Sequence, residues 1–247
     1  MSDVWSGDAV RIERTGRDLP ARTKPVRAVV IHTTGSDIVS KALKKNIDPL
    51  DYAAAYYARK TSYASHYLVG YDGTIVGTVP ENLVAYHAGV SKGRRSIYQQ
   101  GRDRWPRHVK KGKELVDTGK AQGRYGDWLE RWPDLDSPLD LLPGRSVNGL
   151  TIGVDFLAPL PGEKHPQTQV MWVRALVMDI VQRYKLGAVA GSMIEEIDIP
   201  RTVVLRHADV DPLARSTSRG GWDPPRYAFT ALCAQLGIEA WPTEPQA

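Results

Sequence analysis

The feature that most constrains the fold of this chain is a set of short apolar segments of two kinds, which mix without strict alternation. Short β-branched runs bounded by turn residues are typical of buried strands, and they occur at residues 26–32, 64–70, 74–79, 151–157 and 202–205. The segment Tyr71-Asp72-Gly73 predicts a hairpin turn between the second and third runs. Apolar residues at helical spacing, or a helix-start signal, predict helices over residues 49–60, 167–184 and 225–236. We therefore predict a mixed α/β domain.

The domain prediction follows from length and local composition. The chain has 247 residues, of which 42% are hydrophobic and 25% charged, so it can bury a substantial core as one domain that carries an insertion. Residues 1–25 are polar and rich in Arg and Pro, and we interpret them as a leader. Residues 92–148 show little strand patterning and are interpreted as the insertion, and residues 237–247 as a tail.

Several protein classes are excluded by what the sequence lacks. No run of about 18 apolar residues is present, so we expect no transmembrane helix. The first residues do not combine a basic start with an apolar stretch, so we expect no Sec signal peptide. A single cysteine, Cys233, excludes an intrachain disulfide framework and a metal site made of cysteines, and its apolar helical surroundings predict a buried thiol.

The net charge is concentrated in the insertion. Residues 92–148 contain 13 Lys or Arg and 8 Asp or Glu, so their net charge of +5 equals that of the whole chain. Such a basic region favours a polyanionic partner, which could be nucleic acid, lipid headgroups or bacterial wall polymers, or it is a solvated loop. Trp105, Trp128 and Trp132 lie among these basic residues and could stack on sugars, although anchoring the insertion is the commoner role.

Six histidines are the main candidates for chemistry, and two of them lie at strand ends. His32 ends the first predicted strand, His207 follows the last one, and Asp223 precedes a predicted helix. Two histidines and a carboxylate are the ligand set of an open catalytic zinc site, which keeps a fourth position for water. We expect His66 to be a hydrogen-bonded core residue and His165 to lie at the surface. Spacing alone leaves the zinc site as one alternative among several.

Four segments in the same order resemble the type 2 N-acetylmuramoyl-L-alanine amidases, a zinc-dependent family that shares its fold with phage lysozyme-type amidases and peptidoglycan recognition proteins. The similar segments are VVIHTT at residues 29–34, ASHYLVGYDGTIVGTVPE at 64–81 with AYHAG at 85–89, TIGVD at 151–155, and LRHAD at 205–209 followed by Asp223-Pro224. The resemblance implies a mixed central β-sheet flanked by helices. It also implies peptidoglycan or a muropeptide as substrate and hydrolysis of the amide bond between N-acetylmuramic acid and L-alanine.

The resemblance assigns roles to individual residues. It implies that His32, His207 and Asp223 bind Zn²⁺. Asp155 occupies the place of the catalytic carboxylate that takes a proton from water and passes it to the leaving amine. His87 and Tyr86, in the AYHAG segment, are then expected to contact substrate.

Two departures from the family pattern affect these assignments. Asp155 stands where one branch of the family has Glu, and it is one methylene shorter. Gly221 stands where the family usually has a Lys that steadies the oxyanion. Arg215 and Arg219 lie nearby, and we expect Arg219, which is nearer to Asp223, to be the replacement, because its guanidinium is always charged.

Three other functions stay open at this point. A non-catalytic peptidoglycan-binding module would have the same fold without turnover. The segment 89–93 fits G-x-S-x-G, which would make Ser91 the nucleophile of a serine hydrolase, but the residues after it lack a core-facing helical stripe. Nucleic-acid binding through the basic insertion lacks a supporting fold motif, so we expect no nucleic-acid partner.

The location of action is predicted from the absence of a Sec signal. We expect synthesis in the cytoplasm and action at the cell wall or periplasm after release through a holin or delivery by an injection machine. Recycling of muropeptides in the cytoplasm is the other option, and the basic insertion favours contact with an anionic wall.

Overall fold

A computed structural model describes residues 5–7, 9, 11–12, 19–59, 63–88, 108–111, 114–117, 147–160, 162–186, 203–207, 224 and 226–238. The strands in this part of the chain are β1 (Arg11–Ile12), β2 (Ala28–Thr33), β3 (Tyr67–Val69), β4 (Ile75–Gly77), β5 (His108–Lys111), β6 (Glu114–Asp117), β7 (Thr151–Phe156) and β8 (Val204–Arg206). The helices are α1 (Ser36–Lys44), α2 (Pro49–Arg59), α3 (Gln167–Arg183) and α4 (Arg226–Leu236), and a 3₁₀ turn spans Val147–Leu150.

The described strands form a six-stranded mixed sheet in the order β1-β4-β3-β7-β2-β8. β7 runs parallel to β2 and to β3, β8 runs parallel to β2, and β3 and β4 form the antiparallel hairpin. The predicted α/β class with a mixed central sheet and flanking helices is therefore confirmed.

The period-two alternation of the strands creates two different faces. On one face Val29, Ile31, Ile152 and Val154 pack with α3 and α4 in the largest hydrophobic cluster, which includes the fully buried Cys233. On the other face, β3 packs on α2 through Leu68 and its neighbours. On the same face, Val30 of β2 and Leu205 of β8 pack against the 3₁₀ turn and Ala88. The functional candidates lie on the second face.

Some elements differ from the sequence-based expectation. Helix α1 was not predicted, because Gly35 at its N-cap makes no side-chain capping hydrogen bond and so leaves no local start signal. Asp48, in contrast, caps α2, since its carboxylate accepts hydrogen bonds from the backbone N–H groups of Leu50 and Asp51. Strands β5 and β6 pair as a hairpin inside the segment that we interpreted as an insertion with little strand patterning.

The segment interpreted as a polar leader also contributes to the folded domain. The Arg22 side chain donates hydrogen bonds to carbonyl groups on two separate segments, those of Glu81 and Leu83 and those of Gly149 and Thr151. Near the chain start, Ser6 is buried and its hydroxyl donates to Asp179 of α3. None of the helices in the described ranges is long and apolar enough to cross a membrane.

Candidate functional site

The candidate site lies at the carboxyl ends of three adjacent parallel strands. His32 is the fifth residue of β2, Asp155 is its register partner on β7, and His207 directly follows β8. Parallel strands that end at one sheet edge bring such residues together, and ligands bind at this edge in α/β folds. The structure therefore brings together three of the residues that the sequence analysis singled out, although His32 and His207 are 175 residues apart in the chain.

The closest approach within the site joins the two histidines. Nδ1 of His32 lies 3.1 Å from Nδ1 of His207, and the ring centroids are 4.7 Å apart with the planes at 75°. Both residues are buried. Two nitrogen lone pairs repel each other at this distance, so a proton or a cation has to lie between them.

The spacing of the two histidine nitrogens is compatible with a shared zinc ion. Two ligand nitrogens at about 2.0–2.1 Å from one tetrahedral zinc are about 3.3 Å apart, close to the observed 3.1 Å. The described residues contain no group of three or more His, Cys, Asp or Glu side chains placed to hold a metal. Asp223, the predicted third ligand, and Arg219, the predicted oxyanion donor, lie outside the described residues.

Asp155 is fully buried and receives two hydroxyl donors. The hydroxyl of Tyr63 lies 3.1 Å from its Oδ2 atom, and the hydroxyl of Ser65 donates to the same oxygen. The ring of Tyr63 also stands edge-on to His32, with centroids 6.5 Å apart. These contacts hold the carboxylate of Asp155 beside the histidine pair.

His87, which was expected to contact substrate, lies inside the fold. The side chain is fully buried, and its Nδ1 atom lies 3.0 Å from Nε2 of His32 while its Nε2 atom lies 3.1 Å from the hydroxyl of Thr151. Burial lowers the pKa of His87 well below its ordinary value, and the neighbouring His32 lowers it further. A neutral imidazole at this place can accept a hydrogen bond from one side and donate one to the other. Tyr86, the other predicted substrate contact, is half-buried.

Two further histidines, His66 and His165, lie outside the contacts described above. His66 is fully buried, and its Nδ1 atom accepts a hydrogen bond of 2.9 Å from the backbone N–H of Gly153, which confirms the predicted core role. Burial lowers its pKa well below the ordinary value, and the positive charge of Arg22 adds to this effect. The surface position predicted for His165 is wrong, because this side chain is buried against Phe156 and its Nδ1 atom lies 3.0 Å from Oε1 of Gln169.

Four residues that contact the candidate site were not expected there from the sequence: Tyr63, Ser65, Asn148 and Thr151. A signal for one of them was present. Thr151 and Asp155 share the face of β7 that is turned toward the histidines, as does Gly153 between them, and this alternation is visible in the sequence. The partners of the other three depend on contacts between distant segments.

Comparison with known proteins supplies the family. The sequence matches the profile of the family described as N-acetylmuramoyl-L-alanine amidase over residues 22–224. Comparison with curated protein sequences gave no match.

Similar solved structures include an AmpD selenomethionine derivative, with 16% identity, 94% of this chain and 98% of that chain covered, and a TM-score of 0.46. The endolysin amidase LysCS from Clostridium intestinale URNW has 16% identity, the same coverage of both chains and a TM-score of 0.42. A complex of peptidoglycan recognition proteins LCa and LCx with tracheal cytotoxin has 12% identity, 93% and 99% coverage and a TM-score of 0.44. Because the profile match spans most of the chain, the protein belongs to the N-acetylmuramoyl-L-alanine amidase family.

Proposed function

We propose that this protein is a zinc-dependent hydrolase that cleaves the amide bond between N-acetylmuramic acid and L-alanine in bacterial peptidoglycan. One observation carries the proposal: the Nδ1 atoms of His32 and His207 face each other at 3.1 Å, beside the buried carboxylate of Asp155. Family membership points to the same bond, since the family is described by this amidase activity.

In this proposal His32, His207 and Asp223 would hold the zinc ion. When bound, zinc supplies a Lewis acid for the amide carbonyl and makes a water molecule more acidic. Asp155 would act as the general base and acid, accepting a proton from the attacking water and passing it to the leaving amine of L-alanine. The hydroxyls of Tyr63 and Ser65 keep the carboxylate oriented for both transfers.

Other parts of the chain would contribute to substrate binding. Arg219 stays our candidate for steadying the oxyanion, as an always-charged donor in place of the family's lysine. Tyr86 would contact the muropeptide, and the basic segment 92–148 would bind the anionic wall. We propose action at the wall after holin release or injection, which the basic segment favours over recycling of muropeptides in the cytoplasm.

The proposal is tested by digesting purified peptidoglycan with the protein as isolated, after chelation, and after chelation followed by zinc addition. We expect chelation to abolish the release of new L-alanine amino termini and zinc to restore it, with mass spectrometry identifying lactyl-terminated glycans and free stem peptides. The same measurement separates the alternatives. Full turnover in a metal-free preparation would contradict the zinc assignment, and wall binding without any product would identify a non-catalytic binding module.

A further inference from the structure

A chain of three buried side chains runs from β7 to the predicted zinc site. The hydroxyl of Thr151 lies 3.1 Å from Nε2 of His87, and Nδ1 of His87 lies 3.0 Å from Nε2 of His32. The remaining nitrogen of His32, Nδ1, faces Nδ1 of His207 at 3.1 Å. Thr151, His87 and His32 are all fully buried, so these contacts take place away from bulk water.

A backbone carbonyl group determines the direction of the hydrogen bonds that link Thr151, His87 and His32. The Thr151 hydroxyl lies 2.9 Å from the carbonyl oxygen of Val147, which can only accept, so the single hydroxyl proton points there. The hydroxyl oxygen must then accept a hydrogen bond from the Nε2–H group of His87. A neutral imidazole with its proton on Nε2 accepts at Nδ1, so His32 donates to it from its own Nε2. The lone pair of His32 consequently lies on Nδ1, toward His207.

Two further contacts hold the His87 imidazole in place. The side-chain oxygen of Asn148 accepts hydrogen bonds from the backbone N–H groups of His87 and Ala88, at 3.2 and 2.7 Å. Gly153 lies under the ring, and a Cβ atom at that position would come within 2.4 Å of the His87 ring carbon Cγ. The short segment from Val147 to Gly153 therefore contacts His87 at three places: its backbone N–H group, the edge of its ring and the face of its ring.

We infer that His87 and Thr151 are positioning residues, which fix the tautomer and the ring orientation of His32 so that Nδ1 is presented to the metal. The inference rests on the proposed zinc site and adds to it the residues that act through the first ligand. Histidines that bind metals usually donate their second ring N–H to an outer partner, and loss of such a partner typically costs about 10- to 100-fold in metal affinity. Here the outer partner is a second histidine, whose own proton position is set by a threonine hydroxyl.

Zinc affinity of matched variants tests this inference. Thr151→Val keeps the shape of the side chain and removes the hydroxyl, whereas Thr151→Ser keeps the hydroxyl. We expect zinc dissociation constants, measured by competition with a chromogenic chelator, to rise about 10-fold in Thr151→Val, to rise up to about 100-fold in His87→Ala, and to stay within about twofold of wild type in Thr151→Ser. Thr78→Val is the control for the loss of a buried hydroxyl, because Thr78 donates to the backbone carbonyl of Ser65 and forms no hydrogen bond with Thr151, His87 or His32. The zinc affinity of this variant should equal that of wild type.

Histidine ¹⁵N NMR of the metal-free proteins measures the tautomer of His32 directly. A general loss of stability would not change this tautomer. We expect His32 to carry its proton on Nε2 in wild type and Thr151→Ser, and to show a mixture of tautomers in Thr151→Val. Folded Thr151→Val protein with wild-type zinc affinity, or with reduced affinity and an unchanged His32 tautomer, would overturn the inference. If wild-type protein itself bound no zinc, the proposed function would fail instead, so the two failures are distinguishable.

Discussion

Two buried polar clusters on the same sheet differ in how their members are paired. In the Glu81 cluster, the fully buried carboxylate of Glu81 accepts two hydrogen bonds from Arg183, at 2.6 and 2.7 Å, and one each from the hydroxyls of Tyr67 and Tyr184. In the histidine cluster, made of His32, His87, His207 and Asp155, two of the closest contacts join one imidazole nitrogen to another.

The electrostatics of the two clusters differ accordingly. Burial raises the pKa of Tyr67 and Tyr184 far above the ordinary value, and the charge of Glu81 raises both further. Burial alone would lower the pKa of Arg183, but the hydrogen bond and the charge of Glu81 raise it above the ordinary value. The hydroxyl groups of Tyr67 and Tyr184 therefore keep their protons, and the negative charge of Glu81 is paired with the positive charge of Arg183.

The Glu81 cluster is structural, whereas the histidine cluster is suited to binding. The Glu81 cluster satisfies its own charge and joins the segment after β4 to the end of α3, which stabilises the fold. In the histidine cluster the Nδ1 atoms of His32 and His207 lie 3.1 Å apart, a spacing at which the zinc ion of the proposed function would bind between them.

The largest effect is expected from removing one member of the nitrogen pair. His207→Ala should lower zinc content from about one ion per chain to near zero and abolish hydrolysis, because a single remaining imidazole and one carboxylate hold zinc poorly. Metal analysis and peptidoglycan digestion measure this. His165→Ala is the matched control, since His165 is also buried but contacts Gln169 instead of the cluster, and it should keep its zinc. Zinc retention in His207→Ala would remove His207 from the ligand set.

A smaller effect is expected at Asp155. Asp155→Asn keeps the size of the side chain but cannot take up a proton, so zinc should stay bound while kcat falls by about 10² to 10⁴. Asp155→Glu restores the carboxylate found in one branch of the family and is expected to keep activity. Near-normal turnover in the Asn variant would limit Asp155 to a structural role with Tyr63 and Ser65.

The smallest effect on activity is expected in the Glu81 cluster, where a substitution should lower the stability of the fold instead. Glu81→Gln leaves Arg183 without its buried anion and should lower the free energy of unfolding by about 2 kcal/mol, less than for a fully buried pair because Arg183 is 29% exposed. Chemical denaturation measures this loss, and zinc content and turnover per folded molecule should stay unchanged. Asp37→Asn, which removes the exposed partner of Lys41, is the control and should scarcely alter stability. A Glu81 variant that lost zinc would show that the two clusters are coupled.

Much of the fold was predictable because its signals are local. The β-branched run of β2, the Asp72-Gly73 turn and the apolar stripe of α3 each depend on neighbours in the chain, and all three elements were found within a few residues of their predicted bounds. Helix α1 was missed because its start at Gly35 carries no capping side chain. His165 was placed at the surface because its polar neighbours gave no indication that Phe156 would pack against it.

The order of residues alone indicates that His32 and His207 stand at or next to strand ends and that Asp155 lies within a strand, because strand patterning and the resemblance to the amidases are both read from the sequence. Tertiary structure decided that β7, β2 and β8 are parallel neighbours, which brings the Nδ1 atoms of His32 and His207 to 3.1 Å across 175 residues of chain. It also decided that His87 lies against His32 and Thr151, inside the fold. The physical reason is that a hydrogen bond depends on atomic distances and directions between segments, and no local pattern specifies which distant segment will supply the partner.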